Sequence, residues 1–296
     1  MFASLISFYL ATLIQNLPQL TMDEIKPSQF QDILTANPIP QAISPSGPNT
    51  NDLKIQASAY IAIDLKSGKT LIQKNMKEQR SIGSITKLIT ALIILDENNI
   101  NDVVKVPLAA TAIEGSRIWL AEGERITVRD LLSGMLIHSG NDAAYALAIY
   151  NAGSVENFLG KMNDKAKRLG LTQTHFANPA GLDRDGNYST AEDIATLGTF
   201  AYRNAFIRSV VSVPSMTVSS VNGQFKHELK STNELLTKDP RIKGLKTGYT
   251  LEAGKSFVSV AIIGHGSPIL TVVLNSPDRF KETESLIDWS VANFIW

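Results

Sequence analysis

From residue 53 onward the apolar positions follow two periods, and the switch between them outlines the fold. Tyr60-Ile61-Ala62-Ile63-Asp64 and Thr70-Leu71-Ile72-Gln73 are short runs rich in β-branched residues, parted by Lys66-Ser67-Gly68. They predict a hairpin over 60–73. The period then lengthens to that of helices over 82–97, 127–137, 142–151, 155–169 and 191–204. Thr127 with Asp130 three places on, and Thr190 followed by Glu192 and Asp193, supply capping chemistry at two of the starts. Phe158, Met162, Ala166 and Leu169 recur on one helical face and are expected in the core. Strands are predicted over 215–219, 224–229, 257–263 and 269–274, and a closing helix over 278–294. Strands at both ends with helices between them predict an α+β fold. One antiparallel sheet is covered by helices and a helical subdomain is inserted in the middle. A cleft between the two is the expected site. Trp119, in Arg117-Ile118-Trp119-Leu120, is expected as a core aromatic on a hairpin.

The first 52 residues change the picture. Residues 2–14 are nearly all apolar or small, too few to span a bilayer, which takes about 20 residues, but suited to a signal-peptide apolar region. Residues 1–20 are therefore expected to be a signal peptide or an N-terminal membrane segment. Residues 21–52 carry Pro27, Pro38, Pro40, Pro45 and Pro48 among Ser, Asn and Gln and read as a flexible linker. Residues 53–296 read as the folded domain, with no additional C-terminal β domain expected. Lys plus Arg equals Asp plus Glu, 28 each, and no basic run occurs, so nothing points to nucleic acid. With no cysteine, disulfides and thiolate metal sites are excluded. His138, His175, His227 and His265 are scattered without metal-ligand spacing, and His138 reads as a packing or hydrogen-bonding residue. Asp183-Arg184-Asp185-Gly186-Asn187 lacks the glutamate that a calcium loop carries at its twelfth position and reads as a polar turn. No metal or cofactor is expected.

Three short strings carry chemistry. Ser84-Ile85-Thr86-Lys87 opens a helical run, so Lys87 lies one turn from Ser84. A serine hydroxyl needs a neighbour able to take its proton, and here that neighbour is an amine. Ser139-Gly140-Asn141 falls between two helices, and Lys246-Thr247-Gly248 precedes the strand predicted over 257–263. Each string alone has an ordinary reading, as a cap, a turn or a strand entry. Ser-x-Asn recurs at Ser220 and Ser231, and Lys66-Ser67-Gly68 nearly copies the third string. Order and context distinguish the three: Ser-x-x-Lys, Ser-Asp-Asn and Lys-Thr-Gly mark penicillin-binding proteins and class A β-lactamases, and here the middle string is Ser-Gly-Asn.

The wider sequence resembles the serine D-Ala-D-Ala carboxypeptidases, the low-molecular-mass penicillin-binding protein family. The likeness runs through Gly83 to Ala91, Leu136 to Ala144, Asn178-Pro179-Ala180-Gly181-Leu182-Asp183, Tyr188 to Asp193, Ser231-Thr232-Asn233-Glu234-Leu235-Leu236 and Gly244 to Thr250. It implies a β-lactamase/DD-peptidase-like fold and an extracytoplasmic enzyme trimming peptidoglycan stem peptides, with β-lactam antibiotics as covalent inhibitors and possible membrane association through the N-terminus. It implies Ser84 as nucleophile, Lys87 as general base and Ser139 as proton relay. Asn141, Lys246, Thr247, Gly248 and Tyr249 would bind substrate, with the Tyr249 N–H as second oxyanion donor. Tyr249 stands where several members have histidine, so a D,D-endopeptidase with the same residues is the alternative. A β-lactamase needs a deacylating carboxylate, and Phe176-Ala177-Asn178-Pro179 contains none. A cell-wall-binding protein without turnover would keep the fold but lose the reaction.

Overall fold

The computed structural model describes residues 39–43, 47–50, 53–183 and 186–296. The expected N-terminal segment 1–20 and most of the expected linker lie outside the described residues, as do Arg184 and Asp185 of the polar turn. The strands are β1 (Gln41–Ala42), β2 (Ala59–Asp64), β3 (Thr70–Lys74), β4 (Val103–Lys105), β5 (Arg125–Thr127), β6 (Ser215–Ser219), β7 (Lys226–Lys230), β8 (Ile242–Thr250), β9 (Gly254–Ile263), β10 (Ser267–Ser276) and β11 (Phe294–Ile295). The helices are α1 (Lys87–Glu97), α2 (Leu108–Thr111), α3 (Val128–Ile137), α4 (Asn141–Ala152), α5 (Val155–Arg168), α6 (Ala191–Arg203), α7 (Ala205–Val211) and α8 (Arg279–Asn293). No described helix is long and apolar enough to cross a membrane.

The central sheet runs β3-β2-β10-β9-β8 with antiparallel neighbours throughout, so β8 is an edge strand. The predicted hairpin is β2–β3, and Lys66-Ser67-Gly68 is its turn, held by the Asp64 carboxylate accepting from the Ser67 N–H at 2.8 Å. Alternation along the strands divides the core. On β9, Val258 and Val260 pack with Leu88, Ile94 and Leu197 of the helices. Phe257 and Ala261 turn the other way, toward Ile287 and Trp289 of α8. The sheet is thus buried on both faces, which explains why β9 reads as a nearly continuous apolar run. Helices α1 to α7 are inserted between β3 and β8, as the pattern predicts.

Local chemistry fixes the helix ends. The Thr127 hydroxyl accepts from the Asp130 N–H at 3.1 Å, and Thr190 accepts from Asp193 at the same distance. Phe158, Met162 and Ala166 of α5 are buried, with Leu169 packed beside them. Within the expected linker, β1 pairs with β11 and the Asn49 carbonyl accepts from the Trp289 indole.

A second fastening joins the β6–β7 ribbon to the loop before β5. Buried His227 places Nε2 2.7 Å from Glu124 Oε1 and Nδ1 2.8 Å from the Ile118 carbonyl. Both ring nitrogens face acceptors, so the imidazolium, with two donors, satisfies the site. The Glu124 hydrogen bond raises the pKa of His227 above 6.5, against the opposing effect of burial. A raised folded-state pKa contributes stability that is fully present below the unfolded value and fades as pH rises through the folded one. Replacing His227 with glutamine is expected to cost about 3 kcal/mol at pH 6, typical of a buried pair that loses one partner. In denaturant titrations the gap between parent and variant should narrow as the solution is made alkaline. A gap independent of pH would remove the charge from the explanation.

Candidate active site

Three pieces of backbone bring the three strings together. The first is a 3-10 turn, Gly83–Thr86, that leads into α1 and carries Ser84. The sequence pattern starts one continuous α-helix at residue 82, whereas the α-helix proper begins at Lys87. The second is the corner between α3 and α4. Ser139 sits there with φ at 65°, a left-handed conformation unusual for a side-chain-bearing residue, held between two packed helices. The third is β8. Lys246-Thr247-Gly248 lies inside this edge strand, where the sequence placed it ahead of a strand. The correction has a physical source: Gly244, Gly248 and two lysines mask the strand pattern, and the burial that sustains the strand is tertiary.

Close backbone contact joins the first and third pieces. A Cβ on Gly248 would stand 2.4 Å from the Ile82 carbonyl, and one on Gly83 would stand 3.1 Å from the Tyr249 nitrogen. Only hydrogen at both positions lets β8 lie against the serine turn. The Ser84 and Tyr249 main-chain nitrogens therefore belong to segments in contact.

Lys87 is fully buried at the centre of the cluster. Its Nζ lies 2.8 Å from Ser84 Oγ, 2.7 Å from Asn141 Oδ1 and 2.7 Å from the Ala180 carbonyl. The Asn141 amide orientation is set because its Nδ2 donates to the Glu114 carbonyl at 2.7 Å. Two of the three partners of Lys87 can then only accept. A neutral amine has two donors and one lone pair. With both donors spent on Asn141 and Ala180, the lone pair is left facing the Ser84 hydroxyl. Burial pushes the Lys87 pKa well below 10.5, the charge of Lys246 lowers it further, and Asp142 opposes them. The geometry admits an uncharged amine at the serine, and burial with the charge of Lys246 favours that form.

Lys246 is the second buried amine. It donates to Ser139 Oγ at 3.0 Å and to the Thr247 carbonyl at 3.1 Å. Burial, and then the Arg279 guanidinium, bring its pKa to about 7. Thr247 Oγ1 lies 2.6 Å from Thr232 Oγ1. Tyr249 is exposed on the rim. The cleft of about 500 Å³ is lined by Ser84, Ser116, Asn141, Gly181, Tyr249 and Leu251, among others.

Of the eight residues singled out in the sequence, Ser84, Asn141 and Tyr249 line this cleft; Lys87 bonds to the first two, Lys246 bonds to Ser139 beside Asn141, and Thr247 and Gly248 follow Lys246 on β8. Others had no assigned part. Asn178 Oδ1 accepts from the N–H groups of Gly181 at 2.7 Å and Leu182 at 2.9 Å, fixing the loop whose Ala180 carbonyl holds Lys87. Arg279, at the start of α8, donates to the Gly248 carbonyl at 2.9 Å. The Asn178 stretch stood within the resemblance, but Arg279 had no local signal. His138 behaves as expected, its Nδ1 accepting from the Lys230 N–H at 3.3 Å.

The sequence profile of the D-alanyl-D-alanine carboxypeptidase family matches residues 44–278. The D-alanyl-D-alanine carboxypeptidase DacF of Bacillus subtilis is 35% identical over 255 residues, covering 84% of this chain and 65% of that protein. DacC of Escherichia coli is 36% identical over 255 residues, covering 81% of this chain and 62% of that protein. The chain thus spans slightly less than two thirds of these relatives. The crystal structure of the Streptomyces K15 DD-transpeptidase superposes with a TM-score of 0.76 at 33% identity, over 81% of this chain and 98% of that one.

Proposed function

The chain belongs to the D-alanyl-D-alanine carboxypeptidase family, and from that premise we propose that it is a serine D,D-carboxypeptidase. It removes the terminal D-alanine from peptidoglycan stem peptides through an acyl-enzyme on Ser84. The observation that carries this reading is the Lys87 amine, whose other two partners only accept, so that its lone pair is free for the serine proton.

In the first step the Ser84 proton passes to Lys87 and Oγ bonds to the peptide carbonyl carbon. The oxygen takes up the negative charge between the N–H groups of Ser84 and Tyr249. The carbon–nitrogen bond then breaks, and the proton held by Lys87 passes by way of Ser139 to the departing D-alanine amine, which returns Lys87 to its uncharged form, with Lys246 hydrogen-bonded to Ser139. Water hydrolyses the ester with Lys87 again as base. Asn141 holds Lys87 in place and offers its amide to substrate. The terminal carboxylate of the substrate lies toward Lys246 and Thr247, while Gly248, by letting β8 lie against the serine turn, brings the strand within reach of an extended peptide that adds to it. Serine, lysine and backbone donors supply the whole cycle.

The substrate polymer lies outside the cytoplasm, so this reading places the protein in the cell envelope, exported or held by its N-terminus. β-Lactams, with a strained amide, would acylate the same serine. The test is incubation with a labelled pentapeptide ending in D-Ala-D-Ala, followed by mass analysis. Loss of one alanine is expected. Cleavage confined to cross-linked muropeptides would make it a D,D-endopeptidase, and rapid turnover of penicillin a β-lactamase.

A further inference from the structure

Trp119 departs from its sequence expectation. In place of a core position it is 70% exposed, the most exposed aromatic residue among those described. Its backbone adopts φ of 64°, a region that costs an L-residue about 1–2 kcal/mol. The fold holds it there. Asp142 accepts from the Ile118 N–H with one oxygen and from the Leu120 N–H with the other, both at 3.1 Å. Ile118 and Leu120 are buried, and His227 fixes the Ile118 carbonyl. The flanking residues thus point inward and the indole outward. The Arg117 guanidinium covers one ring face, 4.0 Å from its centre. The other face is left to solvent. Two costs, backbone strain and apolar exposure, fall on a side chain that adds nothing to the core.

The loop is continuous with the cleft. Ser116, three residues before Trp119, lines it, and the Ser116 carbonyl accepts from the Asn141 N–H at 2.7 Å. Chain reach between Ser116 and Trp119 is at most about 11 Å. An extended five-residue stem spans roughly 17 Å. A stem whose reacting end lies at Ser84 and whose body passes Ser116 therefore brings its sugar within range of the indole.

We infer that Trp119, backed by Arg117, forms a binding platform for a pyranose ring of the glycan strand that bears the stem peptide; this deepens, and rests on, the carboxypeptidase reading above. A pyranose presents a flat face of C–H groups and a rim of hydroxyl and amide groups. The open indole face matches the first, and Arg117, stacked on the opposite face and reaching the Thr111 carbonyl, holds the ring in place. The alternative, a protein partner, would call for a contiguous patch of about 1,000 Å² or more in total. The stretch after Trp119 is instead polar: Glu122, Gly123, Glu124, Arg125.

The test separates this inference from the reading beneath it. Tryptophan emission of the Ser84→Ala protein is titrated with N-acetylglucosamine oligosaccharides, which carry no peptide. Trp289 and Trp296 are more buried, so the response reports mainly on Trp119. A saturable change is expected, absent in Trp119→Gly. Glycine suits the left-handed backbone, so this variant should melt no lower than its parent. With Ser84 intact, the ratio of kcat/KM on a glycan-linked pentapeptide to that on the free pentapeptide should fall about tenfold in Trp119→Gly, at the upper end of one aromatic stacking contact, and recover in Trp119→Tyr. Unmoved emission, or an unchanged ratio in Trp119→Gly, would overturn the platform. Absence of turnover on both peptides by the parent would overturn the carboxypeptidase reading alone, with the emission titration still deciding for or against the platform.

Discussion

Ser84→Ala is expected to remove covalent labelling by a fluorescent penicillin entirely and to lower peptide turnover by at least about 10⁴-fold, the scale on which losing a nucleophile acts. The change deletes one oxygen from a partly exposed residue on a 3-10 turn, so the body of the protein should be undisturbed. Lys87 keeps its bonds to Asn141 and Ala180, and the main-chain N–H groups of residues 84 and 249 keep their positions. The variant should therefore still bind a D-Ala-D-Ala peptide reversibly. Covalent labelling that survives in the variant would transfer the nucleophile to another residue, and Ser139 would be the first to examine.

The next largest effect is expected from Lys87→Ala. Acylation should slow by the ~10²–10⁴-fold typical of losing a general base, while ground-state affinity for the peptide changes little. Stopped-flow acylation by a chromogenic β-lactam measures the step directly, and an unaltered rate would remove Lys87 from it. The pH dependence gives an independent check. Lys87 acts as a base only when uncharged, and its pKa lies well below 10.5, so acylation should rise with pH through that lowered value. Lys246 is one source of the lowering. Removing its charge in Lys246→Ala favours the protonated form of Lys87, and the acid limb should move to higher pH. A limb that stays where it is would show that the two amines do not sense each other.

Much of this was legible in the sequence because it is written in local chemistry. The caps at Thr127 and Thr190, the β2–β3 turn and the buried face of α5 each follow from residues within a few places of one another. The one-turn spacing of Ser84 and Lys87 is of the same kind. What escaped depends on distant partners. Nothing in Arg117-Ile118-Trp119-Leu120 tells that a carboxylate more than twenty residues away will seize the amides on either side and turn the indole out. One donor bond of Lys87 ends on a main-chain oxygen, Ala180, and any residue there would display one. Arg279 reaches β8 only because α8 packs back across the sheet. β8 itself was hidden because glycine and lysine are poor strand formers in isolation.

The edge position of β8 has a consequence for solubility. Strands at the rim of a sheet expose unpaired amides and carbonyls, and proteins commonly blunt them with charge, proline or bulges to prevent chains from sticking to one another. On the function proposed above β8 accepts a peptide, and the part that does so cannot be blunted. Here α7 shields the beginning of β8, with Val211 packed against Gly244, and a register shift lies between Ile242 and Leu245. Further along, Lys246 and Thr247 are buried and Gly248 lies against the Ile82 carbonyl of the serine turn. Packing against α7 at one end and the serine turn at the other thus leaves little bare rim for a second molecule to grip.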